Sequence, residues 1–120
     1  MAKPILIVDD NPNMSSLLSD MLEVFDYASV CAADGQEALD HLDEHDFAMV
    51  ITDIRMPNMT GLELLEKVKE RHPRLPVVLI SGYSVAEVDT NGQTEGPRPD
   101  GFLPKPFLMS DIERLLNTLL

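Results

Sequence analysis

The sequence predicts a single α/β domain in which a parallel sheet is covered by helices on both faces. Short apolar runs rich in Val, Ile and Leu alternate with segments whose apolar residues recur at helical spacing. The runs are continuous rather than alternating, which indicates strands buried on both faces. Strands that alternate with helices form parallel sheets through right-handed crossovers. The length of 120 residues suits one domain, covering residues 1–120.

Five segments are predicted to be strands. Ile5–Val8 is a continuous run of Ile, Leu and Val, and it ends abruptly at two aspartates. Pro73 and Pro76 punctuate the chain before the fourth apolar run, which indicates a turn followed by a new strand. The predicted strands cover residues 5–8, 27–33, 47–51, 77–80 and 102–103.

Amphipathic segments between the strands are predicted to be helices. The first follows Pro12, because proline is favoured at the start of a helix. The last helix is predicted to start at Ser110, where Ser110 and Glu113 have the spacing of a capping box. Residues 85–100 have little apolar periodicity, so we expect a short fourth helix or an irregular loop there. The other helices are predicted at residues 14–25, 35–42 and 61–70, and the apolar stripe of the first contains Met14, Leu17, Leu18, Met21, Leu22 and Phe25.

The net charge restricts the classes of function open to the chain. There are 21 acidic and 9 basic side chains, which gives a formal net charge of −12. Such a surface repels phosphate backbones, so direct binding of nucleic acid is not expected. No apolar run approaches the roughly 20 residues that a membrane-spanning helix requires, and the N-terminus does not resemble a signal peptide. We therefore expect a cytoplasmic protein that does not enter a membrane.

The single cysteine and the three histidines are not expected to form a site. Cys31 has no partner for an internal disulfide, and we interpret it as a small core residue of a protein in a reducing compartment. His41, His45 and His72 lie in polar surroundings and are expected at the surface. The chemistry of the chain is therefore expected from carboxylates, hydroxyls and ammonium groups.

Five polar side chains are expected to converge at one edge of the sheet. Open parallel sheets bind ligands beyond the carboxyl ends of their strands. The residues at those ends are Asp9, Asp10, Asp53, Ser81 and Lys105. Neighbouring carboxylates repel one another unless a cation intervenes, and Mg²⁺ prefers oxygen ligands. With Mg²⁺ bound, a central carboxylate could attack phosphorus while Asp10, Lys105 and Ser81 supply metal, ammonium and hydroxyl contacts to the transferring group.

Four motifs, in order along the chain, resemble the response-regulator receiver family of two-component signalling. The most specific is Asp-x-x-Met-Pro-x-Met-x-Gly, which begins at Asp53, and the resemblance covers essentially the whole chain. It implies a doubly wound, flavodoxin-like fold with five parallel strands in the order 2-1-3-4-5. The motifs are Ile7-Val8-Asp9-Asp10, Thr52-Asp53-Ile54-Arg55-Met56-Pro57-Asn58-Met59-Thr60-Gly61, Ser81-Gly82-Tyr83 and Phe102-Leu103-Pro104-Lys105-Pro106-Phe107.

The resemblance also implies a role for each residue of the candidate site. Asp53 matches the residue that accepts a phosphoryl group from a phosphohistidine of a histidine kinase or a histidine phosphotransfer protein. Asp9 and Asp10 match the acidic pair at the Mg²⁺ site, to which Asp53 and the backbone carbonyl of Arg55 contribute further ligands. Such a domain is not an enzyme in the usual sense, because it catalyses only its own phosphorylation and dephosphorylation.

Three further residues match parts of the family's conformational switch. Ser81 matches the hydroxyl that moves toward the phosphoryl oxygens, and Lys105 matches the ammonium that pairs with them. Phe102 matches the aromatic residue that turns inward in the same transition. The alternative is that Phe102 is a core residue without a role in switching. In the family the peptide bond after the lysine is cis, which corresponds here to Lys105–Pro106.

Three classes of function remain open on the sequence alone. The first is a phosphorylation-dependent signalling module. The second is a Mg²⁺-dependent phosphatase or phosphotransferase of the haloacid dehalogenase type, but such enzymes carry Asp-x-Asp after the first strand, where this chain has Asp9-Asp10. The third is a receiver-like scaffold that signals without phosphate, which would be expected to have lost an acidic residue or the lysine.

The sequence leaves two points open: which surface transmits the signal, and whether the domain belongs to a longer kinase. Residues 85–100 correspond to the family's fourth helix, which many members use for dimerisation or target contact, so output through that face is in doubt although a homodimer remains allowed. Residues 81–84 and 99–103 resemble receivers attached to hybrid sensor kinases. A stand-alone regulator and a domain of a longer kinase are both compatible with the sequence.

Overall fold

The computed structural model describes residues 3–56, 58–81 and 98–120. The described residues form five strands and four helices, and the strands make one parallel sheet in the order β2-β1-β3-β4-β5. The predicted fold class and strand order are therefore confirmed. The elements are β1 Ile5–Val8, α1 Pro12–Val24, β2 Ser29–Ala32, α2 Gly35–Glu44, β3 Met49–Asp53, α3 Gly61–Arg71, β4 Val77–Ser81, β5 Gly101–Pro104 and α4 Met109–Leu119.

The sheet lies between two hydrophobic clusters, one on each face. All four residues of β1 are 0% exposed, which explains why its sequence is a continuous apolar run. Leu6 and Val8 pack toward α2 and α3, whereas Ile5 and Ile7 pack toward α1 and α4. This alternation follows from the two-residue period of a strand. The sheet is thus buried on both faces and leaves its two ends for chemistry.

Side-chain caps fix the starts of three helices. Asn11 accepts a hydrogen bond from the backbone of Asn13 at the start of α1, and Pro12 is the first helical residue, as the sequence indicated. Asp34 caps α2 in the same way. Thr60 and Glu63 form a reciprocal capping box at α3. These caps place the helices directly after the loops that leave β1, β2 and β3.

The predicted start of the last helix is wrong by one residue. Helix α4 begins at Met109, and Leu108 is the residue that precedes its first turn. The Leu108 N–H donates to Asp111 Oδ2 over 2.7 Å, so Asp111 takes the part that the sequence assigned to a box of Ser110 and Glu113. The acceptor is therefore Asp111 instead of Glu113, and Leu108 forms no side-chain cap of its own.

Two residues predicted in the core lie at the surface. Cys31 is exposed, and it lies on β2, which is an edge strand of the sheet. Leu17 is 49% exposed, since the buried stripe of α1 runs through Leu18, Met21 and Leu22 instead. Both residues lie on surfaces of β2 and α1 that neighbouring elements cover only in part.

The predicted short helix or loop at residues 85–100 lies mostly outside the described residues. Its end is held firmly, because Asp100 Oδ2 accepts hydrogen bonds of 2.8 Å from both Lys69 Nζ and the Val77 N–H. Lys69 Nζ also donates to the Leu75 carbonyl over 2.8 Å. These bonds tie the entry to β5 against α3 and the start of β4. Among the described helices, none combines the length and hydropathy needed to span a bilayer.

Asp100→Ala is expected to lower the free energy of unfolding by about 1–2 kcal/mol, because it leaves the partly buried Val77 N–H without its acceptor. Urea denaturation measures the change. Asp43→Ala is the matched control, since it removes the exposed ion pair with Arg71, which should contribute less than about 0.5 kcal/mol. Equal losses for the two variants would show that the hydrogen bond to Val77 has no special weight.

Candidate functional site

The strand ends bring four of the predicted site residues together, namely Asp9, Asp10, Asp53 and Lys105. Asp9 directly follows β1, and Asp53 is the last residue of its neighbour β3. Lys105 follows β5, whose end pairs with the end of β4. Because all five strands are parallel, these carboxyl ends lie at one edge of the sheet, as the sequence predicted.

Three carboxylates form an acidic triad at this edge. One carboxylate oxygen each from Asp9, Asp10 and Asp53 lies within 4.8 Å of the others. Asp9 is buried, Asp53 is partly buried and Asp10 is exposed, so the triad opens toward solvent on one side. Like charges at such distances are unfavourable without a compensating cation.

Asp9 shows the electrostatic cost of this arrangement most clearly. Its Oδ1 accepts a hydrogen bond from the Asn11 N–H over 2.9 Å, whereas its buried Oδ2 has no partner in the described part of the chain. Burial raises the pKa of Asp9 above its ordinary 3.8, the Asn11 hydrogen bond opposes this, and the negative charge of Asp53 adds to the increase. A divalent cation among the three carboxylates would satisfy the unpaired oxygen and offset the repulsion. The residues therefore fit a hard cation such as Mg²⁺.

Asp9→Asn is expected to raise the free energy of unfolding in EDTA at pH 7. A raised pKa means that the folded protein binds more protons than the unfolded chain, so stability falls as pH increases from 3.8 through the raised value and stays low above it. The neutral amide of Asp9→Asn does not titrate, so this variant keeps the stability that the carboxylate loses. Urea denaturation of both proteins at pH 7 and at pH 3.5 tests the prediction, because the difference in the free energy of unfolding should be smaller at pH 3.5. A gain of the same size at both values would rule out the electrostatic cause.

Lys105 supplies the positive charge of the site. Its Nζ lies 3.3 Å from Asp53 Oδ2, and the side chains are 31% and 14% exposed. The Lys105–Pro106 peptide bond is cis, which confirms what the resemblance implied. Asp53 thus has two carboxylates and one ammonium as near neighbours.

The backbone around Asp53 is held by hydrogen bonds that the sequence analysis did not predict. The Thr52 hydroxyl is buried and donates to the Asp53 carbonyl over 3.0 Å. The Gly61 N–H donates to the Ile54 carbonyl over 2.8 Å, which brings the start of α3 against the end of β3. A Cβ at Gly61 would lie 2.9 Å from Ile54 Cα and still closer to the Asp53 carbonyl oxygen. A glycine at a helix start after a strand-end aspartate is the one sequence signal for this close approach.

Three other predicted site residues have places but no tested roles. Ser81 ends β4 and pairs with Pro104, and its side chain lies outside the described part of the structure. Phe102 lies in β5 and packs, partly buried, against the cluster beneath α2 and α3. Arg55 is exposed two residues after Asp53. Their roles in the site stay predictions.

The strand order with helices on both faces is that of the flavodoxin-like fold, and the acidic edge lies where such folds bind ligands. Residues 5–117 match the family model of the response regulator receiver domain, and the chain belongs to this family. It is therefore a receiver domain of the response regulators of two-component signalling.

Several curated proteins are similar to the chain. The response regulator receiver protein CpdR of Brucella abortus is 35% identical over 118 residues, which cover 95% of this chain and 97% of CpdR. The response regulator Rre1 of Synechocystis is 37% identical over 125 residues, but the match covers 100% of this chain and only 53% of Rre1. The chain thus spans nearly all of one relative and about half of another.

Solved structures agree with this assignment. The chemotaxis protein CheY4 of Vibrio cholerae has a TM-score of 0.89 with 29% identity, and the match covers 100% of both chains. The response regulator TrrA of Thermotoga maritima, solved in complex with Mg²⁺ and BeF, has a TM-score of 0.86 with 30% identity over 98% of this chain and 99% of TrrA. Both are similar along their whole length.

Proposed function

We propose that Asp53 accepts a phosphoryl group from a phosphohistidine of a histidine kinase or a histidine phosphotransfer protein, with Mg²⁺ held by Asp9, Asp10 and Asp53. The observation that carries this proposal is the position of Asp53, 3.3 Å from the Lys105 ammonium and within the acidic triad. The complex of TrrA with Mg²⁺ and BeF supports the choice of metal. The phosphorylated domain then signals by changing its conformation.

The transfer moves phosphorus from nitrogen to oxygen. A carboxylate oxygen of Asp53 forms a bond to phosphorus while the phosphorus–nitrogen bond breaks, and the imidazole leaves with the electron pair of that bond. The product is an aspartyl phosphate. Mg²⁺, when bound, supplies positive charge to the phosphoryl oxygens and offsets the repulsion within the triad. Lys105 pairs its ammonium with the same oxygens, and its distance from Asp53 allows this without a large movement.

The remaining residues have supporting roles in the proposal. The Arg55 carbonyl is a further metal ligand, and the Ser81 hydroxyl contacts the phosphoryl oxygens. Phe102 is only partly buried, and in this proposal it turns inward when Ser81 moves. The domain then has two conformations, one before and one after Ser81 and Phe102 move. Only the second makes contacts to the phosphoryl group, and these contacts stabilise it.

Incubation with acetyl phosphate and Mg²⁺, followed by intact-mass spectrometry, tests the proposal. We expect the mass to increase by one phosphoryl group, and we expect EDTA to prevent it. The modification should be lost in hydroxylamine, which cleaves acyl phosphates. Repeated turnover of added phosphate esters would favour a phosphatase instead, and the absence of any reaction would favour a scaffold that signals without phosphate.

Mg²⁺ is expected to raise the melting temperature of the domain. Binding to the folded state alone stabilises it by about 1.4 kcal/mol at ten times the dissociation constant. Thermal unfolding in millimolar MgCl₂ and in NaCl of equal ionic strength measures the effect. Asp10→Asn should reduce it, because that exposed carboxylate is lost without disturbing the core. An identical response in the two salts would argue against a metal site in the triad.

A further inference from the structure

The edge of the sheet opposite the acidic triad contains a second concave site. A pocket of about 560 Å³ lies where the strands begin, between residues 45–48 before β3 and residues 72–76 before β4. This volume is within the range of sites that hold small organic ligands. Because Asp53 ends β3, the length of the sheet separates this pocket from the receiver site.

The charge of this pocket is opposite to that of the chain. Its lining includes three of the 9 lysines and arginines and two of the three histidines, but only one of the 21 acidic residues. The protein as a whole has a formal net charge of −12. A positive concave surface on such a protein attracts anions locally while the rest of the surface repels them. The charged lining residues are Lys3, Asp46, Arg71 and Arg74, and the two histidines are His45 and His72.

Helix termini account for only part of this cluster. Arg71 lies in the last turn of α3, where a cation is favourable because of the helix dipole. His45 and His72 are the C-cap residues of α2 and α3, but Lys3 and Arg74 belong to no helix. Two separate segments, Lys3 and residues 71–74, therefore contribute lysine and arginine to one pocket.

Most of these positive groups are available to a ligand. Within the described ranges, Lys3 and Arg74 form no ion pair, and both are exposed. Arg71 pairs with Asp43 over 3.1 Å, but the two side chains are 47% and 59% exposed. An exposed pair of this kind contributes little and exchanges readily for a better acceptor. Arginine binds phosphate with two parallel hydrogen bonds.

The floor of the pocket is apolar. Phe47 is 6% exposed and Leu42 is 5% exposed, so both are largely part of the core that the pocket reaches. Leu75 and Pro76 are half-buried at its wall. The half-buried wall has apolar surface that a planar ligand group can cover, and this adds to the attraction of the positive rim for an anion.

We propose that this pocket binds a nucleotide, with its phosphates on Arg74 and Lys3 and its base against Leu75 and Pro76. The planar base packs on the apolar wall, and the phosphates bind the positive rim. A nucleotide therefore uses both the apolar and the positive part of the pocket. The site is independent of the phosphoacceptor, since it needs neither the triad nor Mg²⁺. The receiver would thereby carry a second input at the other end of its sheet.

Isothermal titration calorimetry of the full chain with ATP in EDTA tests the proposal. We expect saturable binding, and we expect Arg74→Gln and Lys3→Gln each to weaken it at least about tenfold through the loss of a charged hydrogen bond. Arg114→Gln is the matched control, because it removes the same charge from an exposed position on α4 outside the pocket. Asp53→Asn should bind ATP as the unchanged protein does.

Four results would overturn the nucleotide site. The first is no binding at millimolar ATP. The second is an equal loss of affinity in Arg114→Gln, which would indicate only a general charge effect. The third is equal affinity for tripolyphosphate or for adenosine alone, since either would show that one half of the ligand is not recognised. The fourth is tighter binding of an oligoglutamate peptide at the same residues, which would indicate an acidic protein partner instead.

Discussion

Asp53→Asn is expected to reduce phosphoryl incorporation from acetyl phosphate by several orders of magnitude while the fold is retained. The amide has the shape of the carboxylate, but its oxygen is a poor nucleophile toward phosphorus. The variant removes one of three neighbouring negative charges but also the charged partner of Lys105, so its stability without metal should change little. Intact-mass spectrometry after treatment with acetyl phosphate and Mg²⁺ measures the incorporation, and circular dichroism checks the fold.

Asp10→Asn separates the loss of the nucleophile from the loss of metal. It leaves Asp53 and its contact with Lys105 in place but removes the exposed carboxylate of the triad. Slow incorporation that higher Mg²⁺ concentrations restore is therefore expected for Asp10→Asn, and no restoration is expected for Asp53→Asn. Full labelling of Asp53→Asn would place the modification on another residue and refute the assignment.

The order of strands and helices could be predicted because burial determines the pattern of residues. Strand β1 is covered on both faces, and its sequence is accordingly a continuous apolar run. The prediction was wrong where burial is partial. Cys31 lies on an edge strand and Leu17 lies beside the buried stripe of α1, and sequence alone does not show how far a helix covers either.

The convergence of the acidic residues could be predicted for a related reason. In a parallel sheet, residues that follow successive strands meet at one edge, so Asp9 and Asp53 are neighbours although they are far apart in sequence. The path of the loop backbone could not be predicted in this way. The hydrogen bond from Thr52 to the Asp53 carbonyl, and the one from Asn11 to Asp9, depend on the detailed course of two loops.

Gly61→Ala is expected to lower the free energy of unfolding by at least about 2 kcal/mol. The added Cβ would meet the backbone of Asp53 and Ile54, which cannot rotate away as a side chain can. Either α3 or the end of β3 must move, and the movement disturbs the carbonyl that Thr52 holds. Urea denaturation measures the stability, and the rate of labelling by acetyl phosphate should fall as well because Asp53 is displaced.

Gly35→Ala is the matched control, since Gly35 is also a buried glycine and also the first residue of its helix. There the added Cβ would meet Met59 Sδ at 2.5 Å and Met59 Cβ at 3.1 Å. The sulfur can rotate aside, and the Cβ needs to shift by only a few tenths of an ångström. We expect a change within about 1 kcal/mol, because alanine favours the helix and offsets part of the repacking. A similar loss at both glycines would mean that helix starts in this fold are sensitive to any added methyl group. A selective loss at Gly61 would instead tie the requirement for glycine to the backbone of the phosphoacceptor, so that fold and function depend on the same contact.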